Sequence, residues 1–285
     1  MRWVKRIAFI IGGLIVASLL VGIGYEQFGR AKAARQFPVQ GHLIDVGSRR
    51  MQIDCRGSGS PTVIFESGLD AMGSLSWSKV HDAIAQSTRA CAYSRAGIMW
   101  SDPGPEKFQP EGVARDLHAL LAAAGERAPF VMVGHSLGGP YIMTFTRLYP
   151  QEVAGLVFVD ASHPDQNERI TRAIGKKIDA GEGLLKAANA LSWTGLPRLL
   201  AARSNDSSIP LQAKQAQDAY FSRSVRSVLQ EEEAVDATFS AAGQLRQLED
   251  RPIVVLTAMK PLPEAVLKTA RLTAEHKMSS PWRAS

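Results

Sequence analysis

From residue 41 to about residue 164, short apolar runs alternate with longer amphipathic stretches. His42–Val46 and Met51–Cys55 read as paired strands around the turn Gly47-Ser48-Arg49. Thr62–Glu66, Arg89–Ser94, Phe130–Gly134 and Val153–Asp160 read as further strands. Between them, Trp77–Gln86, Glu111–Ala124 and Leu137–Tyr149 carry apolar residues at helical spacing, and Gly125 and Pro150 close the last two. This alternation predicts an α/β fold with a mostly parallel sheet flanked by helices. The rhythm breaks between Pro164 and Arg251, where only helical stretches such as Gln212–Gln230 and Glu231–Leu248 are found. Pro252–Thr257 then resumes the strands, so the intervening segment is expected to be a helical cap over the strand ends. Its acidic run Glu231-Glu232-Glu233 and its basic residues Arg169, Arg172, Lys176 and Lys177 are expected to be solvated helix faces.

A different pattern precedes residue 41. Ile7 to Tyr25 is an uncharged run of 19 residues behind the basic start Met1-Arg2-Trp3-Val4-Lys5-Arg6. As a helix it covers roughly 28 Å, close to the ~30 Å of a bilayer's hydrocarbon core. Trp3 and Tyr25 stand at its ends, where amphipathic rings prefer the interface. No small-x-small cleavage site follows directly, which favours a retained single-pass anchor over a cleaved signal peptide, the alternative reading. The short basic N-terminus is expected inside and the body exported, on the extracytoplasmic side.

Charge changes little of this picture. The whole chain of 285 residues has a formal net charge of +6, but its first 40 residues hold six basic side chains and one acidic one. The remainder is nearly neutral, so the basic balance belongs to the terminal segment and argues against a nucleic-acid partner. Cys55 and Cys91 are the only cysteines. An exported domain keeps a disulfide where a cytosolic one usually does not, and two unrelated buried thiols are the other possibility.

The chemistry lies in Gly134-His135-Ser136-Leu137-Gly138, a G-x-S-x-G pentapeptide between an apolar strand and a helix. That context is the one a nucleophile elbow requires. The turn is tight, so Gly134 and Gly138 remove side chains that would clash across it. Ser136 Oγ is then presented at the C-terminal edge of the sheet. The backbone N–H of Leu137 is the natural first donor to an oxyanion formed by its attack.

With these residues the chain resembles the α/β-hydrolase fold superfamily, especially its membrane-anchored or exported bacterial members. The resemblance rests on the run from Gly57 to Leu69, Tyr93-Ser94-Arg95-Ala96-Gly97, Trp100-Ser101-Asp102-Pro103, Gly134–Gly139 and Val159-Asp160-Ala161-Ser162-His163-Pro164. It covers about residues 41 to 265 and is weakest through the cap. It implies that Glu66-Ser67-Gly68-Leu69 supplies the second oxyanion donor, the N–H of Leu69. It also implies that the Cys55 and Cys91 strands are neighbours, which makes a disulfide between them reasonable. The chain departs from the pattern at Ser94, where many relatives have Asp, and at Met99, where a second glycine is usual.

The triad order of such enzymes is Ser, acid, His. Asp160, at the end of a strand, is the preferred acid, and Glu264 is the first carboxylate after Pro252–Thr257. Only 28 residues follow Thr257. They read as a helix over Glu264–Glu275 and then His276-Lys277-Met278, with no further apolar strand and no Gly-His pair. His276 reads as an exposed helix-end residue and His163 as a loop histidine. His135 lies inside the elbow, and His42, His81 and His118 fall away from the pocket. The C-terminal strand and the catalytic histidine are therefore expected to be missing.

The expected organisation is an anchor and linker over 1–40, a first core part over 41–164, the cap over 165–251 and a truncated core part over 252–285. The expected function is a serine hydrolase acting on an ester or similar small substrate through an acyl-enzyme. The alternative is a truncated, inactive relative or a membrane-tethered binding protein. No metal-ligand cluster, phosphate loop or dinucleotide fingerprint is present in the sequence, so no cofactor is expected.

Overall fold

The computed structural model describes residues 2–175, 182–201, 209–245, 247–248 and 250–258. Glu264 and His276 lie outside the described residues, as do Lys176 and Lys177. Seven strands form one sheet: β1 (His42–Asp45), β2 (Arg50–Arg56), β3 (Thr62–Glu66), β4 (Ala90–Ser94), β5 (Phe130–His135), β6 (Val153–Val159) and β7 (Ile253–Leu256). Their order is β1-β2-β4-β3-β5-β6-β7. The first two pairings, β1 with β2 and β2 with β4, are antiparallel, and the rest of the sheet is parallel.

Strands β3, β4 and β5 read as apolar runs because helices cover that part of the sheet, whereas Ile253–Leu256 of β7 is exposed. Helices α3 (Pro110–Ala123) and α4 (Gly138–Leu148) turn Leu117, Leu120, Leu121, Ile142 and Phe145 toward Ile64, Phe130 and Met132 of the sheet. The run Trp77–Gln86 is not one helix. A 3₁₀ turn spans Gly73–Trp77, and the helix proper, α2, covers only His81–Ala85. Trp77 is held instead by stacking on Phe65, with ring centroids 4.7 Å apart.

Between β6 and β7 the chain forms α5 (Gln166–Ile174), α6 (Glu182–Ala190), a 3₁₀ turn at Ser192–Thr194, α7 (Leu196–Ala201), α8 (Leu211–Glu233) and α9 (Val235–Ala242). Helix α8 continues three residues past Gln230 and ends at Glu233, before α9 begins. The acidic run does not behave as one solvated face: Glu231 is buried, whereas Glu232 is half-buried and Glu233 exposed.

The N-terminal helix α1 spans Arg2–Gln36 and is long and apolar enough to cross a membrane. It extends eleven residues beyond Tyr25, and Glu26 and Ala33 of this extension are buried. The helix thus continues through most of the stretch between the apolar run and β1 and meets the cap there. Its Glu26 carboxylate receives two hydrogen bonds from Arg198 of α7, at 2.9 and 3.0 Å.

Candidate active site

The order β4-β3-β5 places a reversal between β3 and β5. The chain leaves β3 toward β4 on one side and returns to build β5 on the other, so the loops after β3 and β5 diverge and leave a crevice at their C-terminal ends. Ser67-Gly68-Leu69 follows β3, and Ser136-Leu137 follows β5.

Ser136 sits at φ 52°, a left-handed conformation unusual for a residue with a side chain. The neighbouring glycines are sterically required. A Cβ at Gly134 would lie 2.6 Å from the Gly138 carbonyl oxygen, and one at Gly138 would lie 2.4 Å from that of Glu66. The turn is fixed by Ser162 and Gly139, whose N–H groups donate to Ser136 O at 2.9 and 3.0 Å. The loop after β3 presses against it, since a Cβ at Gly68 would stand 3.0 Å from Ser136 Cβ.

Leu69, Ser136 and Leu137 line one cleft of about 480 Å³, together with Ile170, Val235 and Phe239. Among the described residues, neither the Leu69 nor the Leu137 amide has a hydrogen-bond acceptor. Two unpaired N–H groups beside a strained serine are suited to holding a developing oxyanion. Glu182, Glu232, Glu233 and Asp236 of the cap also line it, beside Ser162, Gln166 and Asn167.

The loop after β3 is held by a side chain whose role the local sequence does not reveal. Arg95, 3% exposed, donates through Nη1 to Glu66 Oε1 at 2.7 Å and to Ser67 O at 2.8 Å, and through Nη2 to Gly68 O at 2.7 Å. Its remaining N–H groups meet Glu231 of the cap, and its guanidinium lies 5.0 Å from the Tyr141 ring centre. Tyr93 Oη donates to the other oxygen of Glu66. Burial pushes Glu66 up to about 7, against the opposing pull of Arg95 and Tyr93. Glu231 is raised for the same reason, so two buried carboxylates share one guanidinium.

The two departures from the resembling family's pattern pack into this framework. Ser94 donates to Gln52 Oε1 at 2.7 Å, and its Oγ accepts from the Ser74 amide at 3.3 Å. Met99 takes φ 49° without glycine, is fully buried, and donates its N–H to Ser224 Oγ of α8 at 2.9 Å.

Asp160 follows β6 at φ 43°, with its N–H bonded to Leu256 O at 2.7 Å. Its Oδ1 accepts the Ala258 amide at 3.3 Å, and it does not line the Ser136 cleft. No histidine among the described residues lines that cleft. His163 Nδ1 accepts the Asp165 amide at 3.1 Å. His135 turns toward Trp77 at 6.5 Å, His81 Nε2 meets Ala90 O at 2.9 Å, and His118 pairs with Glu152 at 2.9 Å. His42 lies on the outer strand β1. Cys55 and Cys91 occupy paired register positions of β2 and β4 and form a disulfide.

The sheet, the cap between β6 and β7 and the serine elbow after β5 define an α/β protein of the hydrolase type. The family described as alpha/beta hydrolase fold matches residues 61–195, and the chain has this fold. It is 25% identical to the protein YbdG of Bacillus subtilis over 167 residues, which is 57% of this chain and 51% of YbdG. It is 30% identical to a vacuolar membrane protein of Saccharomyces cerevisiae over 148 residues, which is 50% of this chain and 23% of that relative. The chain thus spans about half or less of the length of these curated relatives. The haloalkane dehalogenase DatA of Agrobacterium tumefaciens shares the fold, with a TM-score of 0.55 at 17% identity over 84% of this chain and 87% of DatA.

Proposed function

We propose that the chain is a membrane-anchored serine hydrolase that cleaves a small ester-like substrate through an acyl-enzyme on Ser136. The observation that carries this reading is the strained Ser136 between the unpaired amides of Leu69 and Leu137, all three at one cleft. Ser136 Oγ attacks the substrate carbonyl and the oxyanion forms toward the two amides. Collapse expels the alcohol, and water then attacks the acyl group and releases the acid and free serine. A serine at this position sets the chemistry apart from that of an aspartate-dependent dehalogenase, whatever the shared fold.

This reading needs a base to take the serine proton, and no histidine among the described residues lines the cleft. Asp160 is the preferred acid, with one carboxylate oxygen not engaged by Ala258. The basic flank Arg2, Lys5 and Arg6 and the Cys55–Cys91 disulfide both support a body on the extracytoplasmic side.

The test is labelling of the folded full chain with a fluorophosphonate, beside a Ser136→Ala variant. Labelling of the wild type at Ser136 together with ester hydrolysis lost in the variant is the expected result. Equal hydrolysis by both chains would remove the elbow from the reaction. A tethered binding protein without turnover is the second reading, favoured by the lack of an imidazole at the cleft among the described residues. It predicts a chain that binds esters in the cleft yet is never labelled.

A further inference from the structure

The extension of α1 fixes the height of the cap relative to the apolar span. A Cβ at Gly22 would lie 2.6 Å from Thr194 O, and one at Gly195 would lie 2.6 Å from the Tyr25 ring. The 3₁₀ turn Ser192–Thr194 and the start of α7 therefore lie level with the end of the uncharged run. At that level the cap exposes Trp193, Leu196, Leu199 and Leu200, an amphipathic ring and three aliphatic side chains. Such residues suit the boundary between hydrocarbon and headgroups.

Just beyond this level, between α1 and α8, is a cavity of about 470 Å³ with Arg30, Arg198, Arg223, Arg226 and Ser222 in its wall. Arg30 stands five residues past Tyr25, about 7.5 Å further along the helix, within the headgroup layer of a bilayer spanned by the preceding residues. Among the described residues no carboxylate lines the cavity. Arg30 and Arg198 share the single Glu26 carboxylate. Arg223 donates to Ser101 O at 3.1 Å and lies 3.7 Å from Asp102. Arg226 has no ion-pair partner among the described residues, so the four guanidiniums exceed the carboxylates that face them. Ser222, only 3% exposed, has its Oγ without a hydrogen-bond partner among the described residues. A buried hydroxyl left unpaired beside surplus cations is costly unless an acceptor arrives.

We propose that this cavity binds the phosphate of a membrane phospholipid, whose acyl chains lie along the Trp193–Leu200 face of the cap. The cations and Ser222 recognise the phosphodiester. The apolar face and the α1 span place the site where such headgroups are, and this selects a lipid over a free phosphate. Binding here is independent of the chemistry at Ser136, and a Ser136→Ala chain retains it.

The test is native mass spectrometry of the full chain in a non-ionic detergent with added phosphatidylglycerol, diacylglycerol or inorganic phosphate. One retained phosphatidylglycerol per chain is expected, with at least tenfold less diacylglycerol at equal concentration. Arg226→Gln, which removes no intramolecular ion pair, is expected to weaken phosphatidylglycerol retention about tenfold, and Ser222→Ala several-fold. Equal retention of phosphatidylglycerol and diacylglycerol would overturn the proposal without recourse to any variant. So would unchanged retention in a folded Arg226→Gln chain, or displacement of the lipid by an equal concentration of inorganic phosphate.

Discussion

Arg95 and Glu231 form a bidentate ion pair across the boundary between sheet and cap, with Nη2–Oε2 at 2.7 Å, Nε–Oε1 at 2.9 Å and both side chains almost wholly buried. The same guanidinium holds the carbonyls of Ser67 and Gly68, so one side chain sets both the cap and the loop that carries the Leu69 amide. Removing it leaves Glu66 and Glu231 buried without a counter-charge. Arg95→Met is expected to cost about 3–5 kcal/mol in urea unfolding. Glu231→Gln keeps the shape and frees the cap end of the clamp. It is expected to cost less and to lower fluorophosphonate labelling more than its stability change explains.

Glu66 gives the fold a pH dependence of a definite sign. Burial holds its folded pKa at about 7, above the 4.5 of an ordinary glutamate. The folded chain therefore keeps a proton that the unfolded chain releases, and ν_U is smaller than ν_N between these values. Its contribution is fully present below about pH 4.5 and is lost as pH rises through about 7. Thermal melts between pH 5 and 8 should show Tm falling, and Glu66→Gln should flatten that slope. A Tm that rises over this interval in the wild type and is unchanged in shape by the substitution would refute the assignment.

Strain at the elbow leads to a trade between stability and chemistry. Ser136 is held in the left-handed region, where glycine carries no steric penalty. Ser136→Gly is expected to raise unfolding stability by about 1 kcal/mol while abolishing labelling. Gly138→Ala acts oppositely, because its Cβ would meet only backbone, the Glu66 and Ser67 carbonyl oxygens at 2.4 and 2.8 Å. A loss of about 1–3 kcal/mol is expected in the same urea titration.

These cases show which parts of the molecule the sequence makes legible. The elbow was readable because its requirements are local: a strand, a tight turn with glycines on either side, and a helix. The sheet was readable because strands covered by helices are short and apolar. Glu231 was not, since an acidic run looks solvated and the Arg95 that buries it lies 136 residues away in the chain. The docking of α1 was missed for the same reason, as Arg198 lies 172 residues from Glu26. The spacing around Trp77 fits a helix, whereas stacking on Phe65 decides its local structure. Periodicity records what neighbours along the chain do and is silent about partners supplied by a distant segment.

Docking of α1 on the cap has its own measurable cost. Glu26 is fully buried and serves both Arg30 and Arg198, and Arg198 also donates to the Ala219 carbonyl of α8. Glu26→Ala strands Arg198 at the helix–cap contact, with an expected loss of about 3–5 kcal/mol. Limited proteolysis of detergent-solubilised chain should then cut between Gln36 and Gly41 faster than in the wild type, while β-sheet circular dichroism is retained. Unchanged cleavage would mean that α1 is held by other contacts.

The Cys55–Cys91 disulfide ties the antiparallel edge of the sheet to its parallel centre, across 36 residues of chain. Closing a loop of that length restricts the unfolded chain, and a stabilisation of about 2–4 kcal/mol is expected. Reduction under native conditions should be slow, because Cys91 is fully buried. Urea titration with and without reductant measures the difference, and a Cys55→Ala/Cys91→Ala chain should match the reduced protein. The bond also reports on the side of the membrane that holds the body. Chains trapped in intact cells with a membrane-permeant alkylating agent should remain unmodified until they are denatured and reduced. Alkylation of both cysteines after denaturation without reductant would place the body in a reducing compartment and reverse the proposed orientation of α1.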